Sequence, residues 1–480
     1  MNKTITKNYL YNLIYQIFIM LIPMITAPYI ARTLKVEAIG IYSYTTTISA
    51  FCIFIGSLGI NLYGQREIAY NRDNKYKTTK KFWEIFLLRL ITMFISIVIY
   101  YLVFVKNREY SLYFKILIIE IIANIFDITW FYYGIEDIKK IVIYQFIIKM
   151  LQVISIFYFI KHPSDLYKYL LIYVISSFIS NILLFLNLKK YFVKINLNSL
   201  DFCRHIKPAI KCFVPQIANQ IYVLVDKTMI KLILFNMTEV GYYEESQKIV
   251  RIFLLIVNSL NVILVPKISN FYAKKNDKKI KEYIYKSFNY MLLVGLPISI
   301  GLITVSHEFV PIFLGNGYDK VINLVNITSF IIIFLGIINI VGTQYLITLR
   351  RDNEYSIIIV VGIIVNIIFN YILIPKYKSI GACFGTIISQ IVIVVILLLV
   401  IRKEINIRKI IKDSKNYFIC SIIMFMCSCC VGSFIDNLFL LLIIKIIVSI
   451  IIYFGLLSII KDDFLLKIKS RLLKTRCKKD

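Results

Sequence analysis

The chain has 480 residues, of which 59% are hydrophobic, with a mean hydropathy of +0.76 and a formal net charge of +29. Soluble domains are about 45–50% apolar, so this composition excludes an ordinary water-soluble protein and points to one that crosses a bilayer many times. The positive charge invites a nucleic-acid reading, which its distribution along the chain argues against.

A bilayer span needs about 20 mostly apolar residues. Such stretches are predicted at 8–31, 39–63, 83–105, 112–134, 141–160, 166–188, 212–235, 243–266, 286–306, 321–346, 355–375, 379–401, 417–435 and 438–460. The first is no cleaved signal peptide, because it carries Pro23 and Pro28 and lacks a small-residue cleavage site. With the N-terminus inside, the inner segments hold 39 Lys and Arg, the outer segments 8 and the spans 9. That asymmetry is the positive-inside pattern, and it places both termini in the cytoplasm. The basic stretches 64–82, 189–211, 267–286 and 461–480 then face anionic lipid of the inner leaflet, not nucleic acid.

The expected fold is an all-α polytopic membrane protein of about fourteen transmembrane helices. An internal repeat shows at an offset of 201: Gly40-Ile41-Tyr42 corresponds to Gly241-Tyr242-Tyr243, and Arg66 to Lys267. A basic hairpin follows each, Asn71-Arg72-Asp73-Asn74-Lys75 and Lys274-Lys275-Asn276-Asp277-Lys278. Six spans separate the copies, so both halves enter from the same side. This is a parallel repeat, a layout that places a cavity between two lobes. The expected organisation is a six-helix lobe at 1–188, a cytoplasmic linker at 189–211, a pseudo-symmetric six-helix lobe at 212–401 and two added helices with a basic tail at 402–480.

Charges within a bilayer cost about 2.5–3.5 kcal/mol each on insertion scales and normally face a cavity or a partner. Several form helical stripes: Gln216, Gln220, Lys227 and Lys231 in the seventh span; Glu244, Lys248, Arg251 and Asn258 in the eighth; Gln145, Lys149 and Gln152 in the fifth; Glu120, Asn124 and Asp127 in the fourth. Glu244 stands four residues before Lys248 and can neutralise it. Arg89 in the third span and Arg32 at the end of the first add cations. Asp226, beside Lys227, is a candidate coupling group, as are Glu120 and Asp127. Pro23, Pro28, Pro215 and Pro297 interrupt helical hydrogen bonding and are hinge candidates. No metal spacing occurs among the nine Cys. Cys420, Cys427, Cys429 and Cys430 read as packing residues, and His162, His205 and His307 are scattered. No phosphate-loop motif appears, so no nucleotide is expected as cofactor, and no cofactor of any kind is implied.

Particular runs carry a resemblance: Pro28-Tyr29-Ile30-Ala31-Arg32-Thr33-Leu34, Gly40-Ile41-Tyr42 and Leu58 through Ala69, then Phe213-Val214-Pro215-Gln216, Asp226-Lys227-Thr228-Met229-Ile230, Pro311 through Gly315, and Gly342-Thr343-Gln344-Tyr345-Leu346. Over roughly residues 1–400 the chain resembles the Wzx-type polysaccharide repeat-unit flippases of the multidrug/oligosaccharidyl-lipid/polysaccharide exporter superfamily. The resemblance implies a two-lobed bundle around a central cavity in the bacterial cytoplasmic membrane. It implies translocation of an undecaprenyl-pyrophosphate-linked oligosaccharide for O-antigen or capsule. Polysaccharide polymerase or assembly proteins are then expected partners. The chain departs from the family at Lys35 and Lys231, where Gly is common, and at Gln390, where an acid is frequent.

A pyrophosphate headgroup needs cations in a hydrated cavity, which supply charge-assisted hydrogen bonds. Arg32, Arg89, Lys149, Lys227, Lys248 and Arg251 are the expected headgroup ligands. Two alternatives share the architecture, an ion-coupled drug or metabolite antiporter and a flippase for the peptidoglycan lipid precursor. A membrane glycan polymerase would require catalysis from an outer loop, of which the longest, near 307–320, holds His307, Glu308 and Asp319. Its shortness argues against an enzyme.

Overall fold

Ile, Phe, Tyr and Val, abundant here, favour strands in water. In lipid every backbone N–H and C=O must pair within its own segment, which forces helix. The computed structural model describes residues 3–106, 109–196, 200–258, 261–431 and 436–462, and no strand occurs among them.

Among the described residues the α-helices follow in order as α1 (Lys3–Ser57), α2 (Ile60–Asn71), α3 (Lys75–Tyr100), α4 (Ser111–Ile125), α5 (Thr129–Gly134), α6 (Ile138–Phe159), α7 (Leu166–Leu186), α8 (Ile206–Leu234), α9 (Met237–Asn258), α10 (Asn261–Ala273), α11 (Asp277–Leu314), α12 (Asp319–Thr328), α13 (Ile331–Ile338), α14 (Asp352–Tyr377), α15 (Ser379–Ile401), α16 (Ile407–Val431) and α17 (Leu438–Ile459). Wide-turn π segments extend α3 through Val105 and α13 through Ile347.

Ten stretches among the described residues are long and apolar enough to cross a membrane. The difference from fourteen has identifiable causes. Leu21–Asn71 counts as one stretch although it takes in the end of the first expected span and all of the second. The expected span 112–134 is broken, because α4 stops at Ile125 and the chain turns before α5. α8 and α9 are long enough but carry clustered charges, Asp226, Lys227 and Lys231 in one and Glu239, Glu244, Glu245, Lys248 and Arg251 in the other.

Within α1 the chain passes through Pro23 and Pro28 without leaving the helix, and the break falls at Lys35 (φ 67°, ψ 170°). The expected outer loop at 307–320 shrinks to Gly315–Tyr318, because α11 runs 38 residues to Leu314. Glu308 is therefore a buried helical residue.

Each basic hairpin closes on an asparagine cap: the Asn74 side chain accepts from Lys77 N–H at 3.0 Å, and that of Asn276 from Lys279 N–H at 3.1 Å.

By contact the chain divides into residues 1–241 and 242–480. The first unit has two cores. One joins α2, α3 and α5 through Tyr63, Phe82, Phe86, Trp130 and Phe131, with the Phe82 and Trp130 rings stacked at 5.3 Å. The other joins α1, α3, α4 and α7 through Ile48, Met93, Tyr100, Leu117 and Val174. α8 packs on α1 and α2. In the second unit α14 lies along α15, and α11 packs against both α16 and α17. There Lys445 of α17 donates to Glu308 at 2.7 Å, and the Tyr453 hydroxyl to the Leu293 carbonyl at 2.9 Å. Exposed Ile364, Ile368, Tyr371 and Ile372 on α14 give that helix a face suited to lipid.

Candidate functional site

Polar side chains on otherwise apolar helices converge, in the first unit, on a cavity of about 370 Å³. It is lined by Ser57 of α1, Asn61 of α2, Arg89 of α3, Glu120 and Asn124 of α4, and Tyr173 of α7.

Arg89 is fully buried. Its Nη1 donates to Asn61 Oδ1 at 2.7 Å, and its Nε and Nη2 donate to the Asn124 carbonyl at 3.0 and 2.7 Å. Asp127 Oδ2 lies 3.8 Å from Nη2. The last carbonyls of any helix lack intrahelical partners, and Arg89 supplies donors where α4 ends. Asp127 lies beyond that end, and its Oδ1 accepts from the Thr129 N–H at 3.1 Å and the Thr129 hydroxyl at 2.7 Å.

The Glu120 carboxylate accepts two hydroxyl hydrogen bonds, from Ser49 of α1 and Tyr173 of α7, each at 2.8 Å. Lys149 of α6 donates to Gln152 Oε1 at 2.8 Å, and its Nζ stands 5.9 Å from the centre of the Tyr173 ring. Two acids, Glu120 and Asp127, and two bases, Arg89 and Lys149, thus occupy one polar neighbourhood built around α1, α2, α3, α4, α6 and α7.

Elsewhere in this unit, Asp226 and Lys227 are buried on α8. Lys231 donates to Glu109 at 3.0 Å and lies 5.1 Å from the Tyr110 ring centre. This hydrogen bond holds the Glu109 carboxyl below its ordinary range. Gln216 bonds the Cys212 carbonyl of its own helix at 2.7 Å. The side chains of Pro215 and Gln220 lie outside the described residues. Arg32 and Pro23 are exposed, and Pro28 is half-buried.

In the second unit Lys248 bonds the buried Glu245 at 2.7 Å, three residues before it. Glu244 is buried and Arg251 exposed. Pro297 faces no polar site; it lines an apolar cavity of about 390 Å³ with Phe253, Leu302, Met424 and Tyr453. Of the six cations expected to hold a headgroup, Arg89 and Lys149 share the first unit's polar neighbourhood, and Lys248 and Arg251 lie on α9.

Sequence reasoning did not single out Ser49, Asn61 or Tyr173, because hydroxyls and amides carry little signal in an apolar helix. It also passed over Glu84, a lone acid in Phe82-Trp83-Glu84-Ile85-Phe86, which the test applied to buried cations would have found. Glu84 Oε2 lies 3.0 Å from His205 Nε2, and His205 Nδ1 lies 2.5 Å from the Tyr63 hydroxyl. Arg204 also bonds Glu84, and the Asp201 N–H donates to Glu84 Oε1 at 3.2 Å. The segment leading into α8 is thereby fastened to α2 and α3. Burial lowers the pKa of the His205 imidazole.

The family profile described as polysaccharide biosynthesis protein matches residues 5–272. The chain belongs to this family. A second profile, described as lipid II flippase MurJ, matches residues 153–450. The putative O-antigen transporter of Escherichia coli K12 is 22% identical over 409 residues, covering 84% of this chain and 97% of the relative. The capsular polysaccharide biosynthesis protein CapF of Staphylococcus aureus is 24% identical, covering 80% and 96%. Among solved structures, lipid II flippase MurJ in an inward closed conformation superposes with a TM-score of 0.79 at 17% identity, covering 95% of this chain and 100% of that one. An inward-facing multidrug resistance MATE transporter of the MOP superfamily gives a TM-score of 0.59 at 13% identity, covering 82% and 99%. The fold is that of this all-α transporter superfamily.

Proposed function

We propose that the protein is a flippase that carries a lipid-linked oligosaccharide from the inner to the outer leaflet of the bacterial cytoplasmic membrane, for assembly of a surface polysaccharide. The match to O-antigen and capsule proteins over nearly their whole length is the observation that carries this reading. The positive-inside distribution supports a topology with both termini in the cytoplasm.

The chemistry follows from solvation. A pyrophosphate with sugars cannot enter hydrocarbon unaided, whereas its polyprenyl chain stays in the bilayer. Arg32, Arg89, Lys149, Lys227, Lys248 and Arg251 counter the phosphate charge along the path, and tyrosines such as Tyr173 offer sugars a ring face and a hydroxyl. Arg89, held by Asn61 and the end of α4, also fixes the position of that helix end beside Glu120. Glu120 is the coupling candidate the geometry supports best, since an acid within the span with two hydroxyl partners suits proton or monovalent-cation exchange. Alternating access moves the headgroup, and a polysaccharide polymerase or assembly protein receives it outside.

Deletion of the gene in its host tests this reading. Surface polysaccharide should disappear and the lipid-linked repeat unit accumulate in the inner leaflet. The intact chain should restore export, and a variant with Gln at all six cations should not. The MurJ match favours one second reading, transport of the peptidoglycan lipid precursor, which rescue of a host depleted of its own precursor flippase would reveal.

A further inference from the structure

In the second unit the start of α11 and the turn between α15 and α16 enclose a cavity of about 540 Å³. Lys281, Arg402, Lys403 and Arg408 line it, and all four are exposed. None of the four has a hydrogen-bond or ion-pair partner among the described residues. The cavity's one carboxylate, Glu404, is engaged internally. It accepts Arg351 Nη1 at 2.8 and 3.0 Å and the Tyr345 hydroxyl at 2.5 Å. The Tyr285 hydroxyl accepts the Asn406 N–H at 2.9 Å, which leaves its own proton to donate.

A basic chain does not produce such an excess everywhere. The first unit has a cavity of about 600 Å³ in which Arg72, Lys75 and Lys190 stand with Asp73, Glu136 and Asp137. There Arg72 bonds Glu136 at 2.6 Å and Tyr191 bonds Asp137 at 2.5 Å. The two cavities are alike in size, but the first unit's sets three carboxylates against three cations, whereas the second unit's sets a single, internally engaged carboxylate against four. Exposed Leu399 on α15 and Ile411 on α16 flank the cationic turn, so an anion there adjoins surface suited to acyl chains.

We propose that this cavity binds the phosphate headgroup of an anionic bilayer phospholipid. Converging Arg and Lys donors match a phosphate diester, and a lipid already resident in the leaflet is supplied at high local concentration. The inference rests on the reading of the chain as a membrane protein and on no particular transport substrate.

The test uses the full chain in nanodiscs of phosphatidylcholine doped with phosphatidylglycerol, with retained lipid counted by native mass spectrometry. Arg402→Gln should lower phosphatidylglycerol retention about five-fold, the contribution of one basic side chain at an anionic surface. Neutralising Lys281, Arg402, Lys403 and Arg408 together should abolish it. The Lys75→Gln/Lys190→Gln variant serves as the control and should retain lipid like the parent, and inorganic phosphate should not compete. Equal retention by all variants, displacement by inorganic phosphate, or preference for a polyprenyl pyrophosphate over phosphatidylglycerol would overturn the proposal. The readout needs neither transport nor sidedness, so its failure leaves the flippase reading standing.

Discussion

Gly40 and Gly241 hold two backbones at one crossing. A Cβ on Gly40 would sit 1.8 Å from the Met237 carbonyl oxygen, and a Cβ on Gly241 would sit 2.2 Å from the Val36 carbonyl oxygen. The partners stand in the same relation as the glycines, 201 residues apart, so one contact is the repeat image of the other. α1 meets the first turn of α9 (Met237–Gly241), which belongs to the first unit. Only a residue without a Cβ permits this approach. Gly40→Ala or Gly241→Ala should open the crossing and destabilise the protein by about 1–3 kcal/mol, the usual cost of overpacking. Thermal unfolding in detergent measures it, and the double variant should lose less than the sum of the singles because both relieve one contact.

Lys35 breaks α1 with φ 67° and ψ 170°, a region that costs a non-glycine residue about 1–3 kcal/mol. It is also where the resembling family commonly has Gly. Lys35 is exposed, so its side chain provides little compensating burial. Lys35→Gly should stabilise the protein by about 1 kcal/mol, read as a higher melting temperature; a lower one would show that the lysine is needed there.

Arg89→Lys separates charge from geometry. Lysine keeps the cation but cannot bridge Asn61 and the Asn124 carbonyl as the guanidinium does. A buried acceptor left unsatisfied costs about 1–3 kcal/mol. The variant should unfold at lower temperature and transport poorly even though its charge is retained. Undiminished stability and transport would mean that charge alone matters at this position.

His205 makes stability depend on pH. Its folded pKa lies below the unfolded value because burial disfavours the charged ring. The unfolded state therefore binds more protons as pH falls through about 6.5, the ordinary histidine value. The contribution is fully present above that pH and is lost below it. Melting temperature should fall on acidification from neutral pH, and His205→Gln should show a shallower fall.

Much of this architecture was legible because lipid imposes one rule on every segment. Hydropathy located the helices, and Gly40 and Gly241, paired in the sequence by a spacing of 201, mark a close backbone approach in the structure. The break between α4 and α5 was not legible: Phe126-Asp127-Ile128 contains neither Pro nor Gly, and Asp127 looked like one more member of a helical stripe. Pro23 and Pro28 drew attention as hinges, whereas the chain leaves helical geometry at Lys35. In the polar neighbourhood the charged members, Arg89, Glu120 and Lys149, could be named from sequence. The Ser49 and Tyr173 hydroxyls that hold Glu120 could not, because they resemble ordinary helix-packing residues until the helices are brought together.

The flippase claim is tested most directly by reconstituting the purified protein in liposomes with the host's lipid-pyrophosphate oligosaccharide and following its exposure to an external lectin or glycosidase. The account expects protein-dependent exposure that is lost when Arg89, Lys227 and Arg251 are all neutral. No exposure by folded protein, with the correct host glycan and with or without imposed ion gradients, would contradict it.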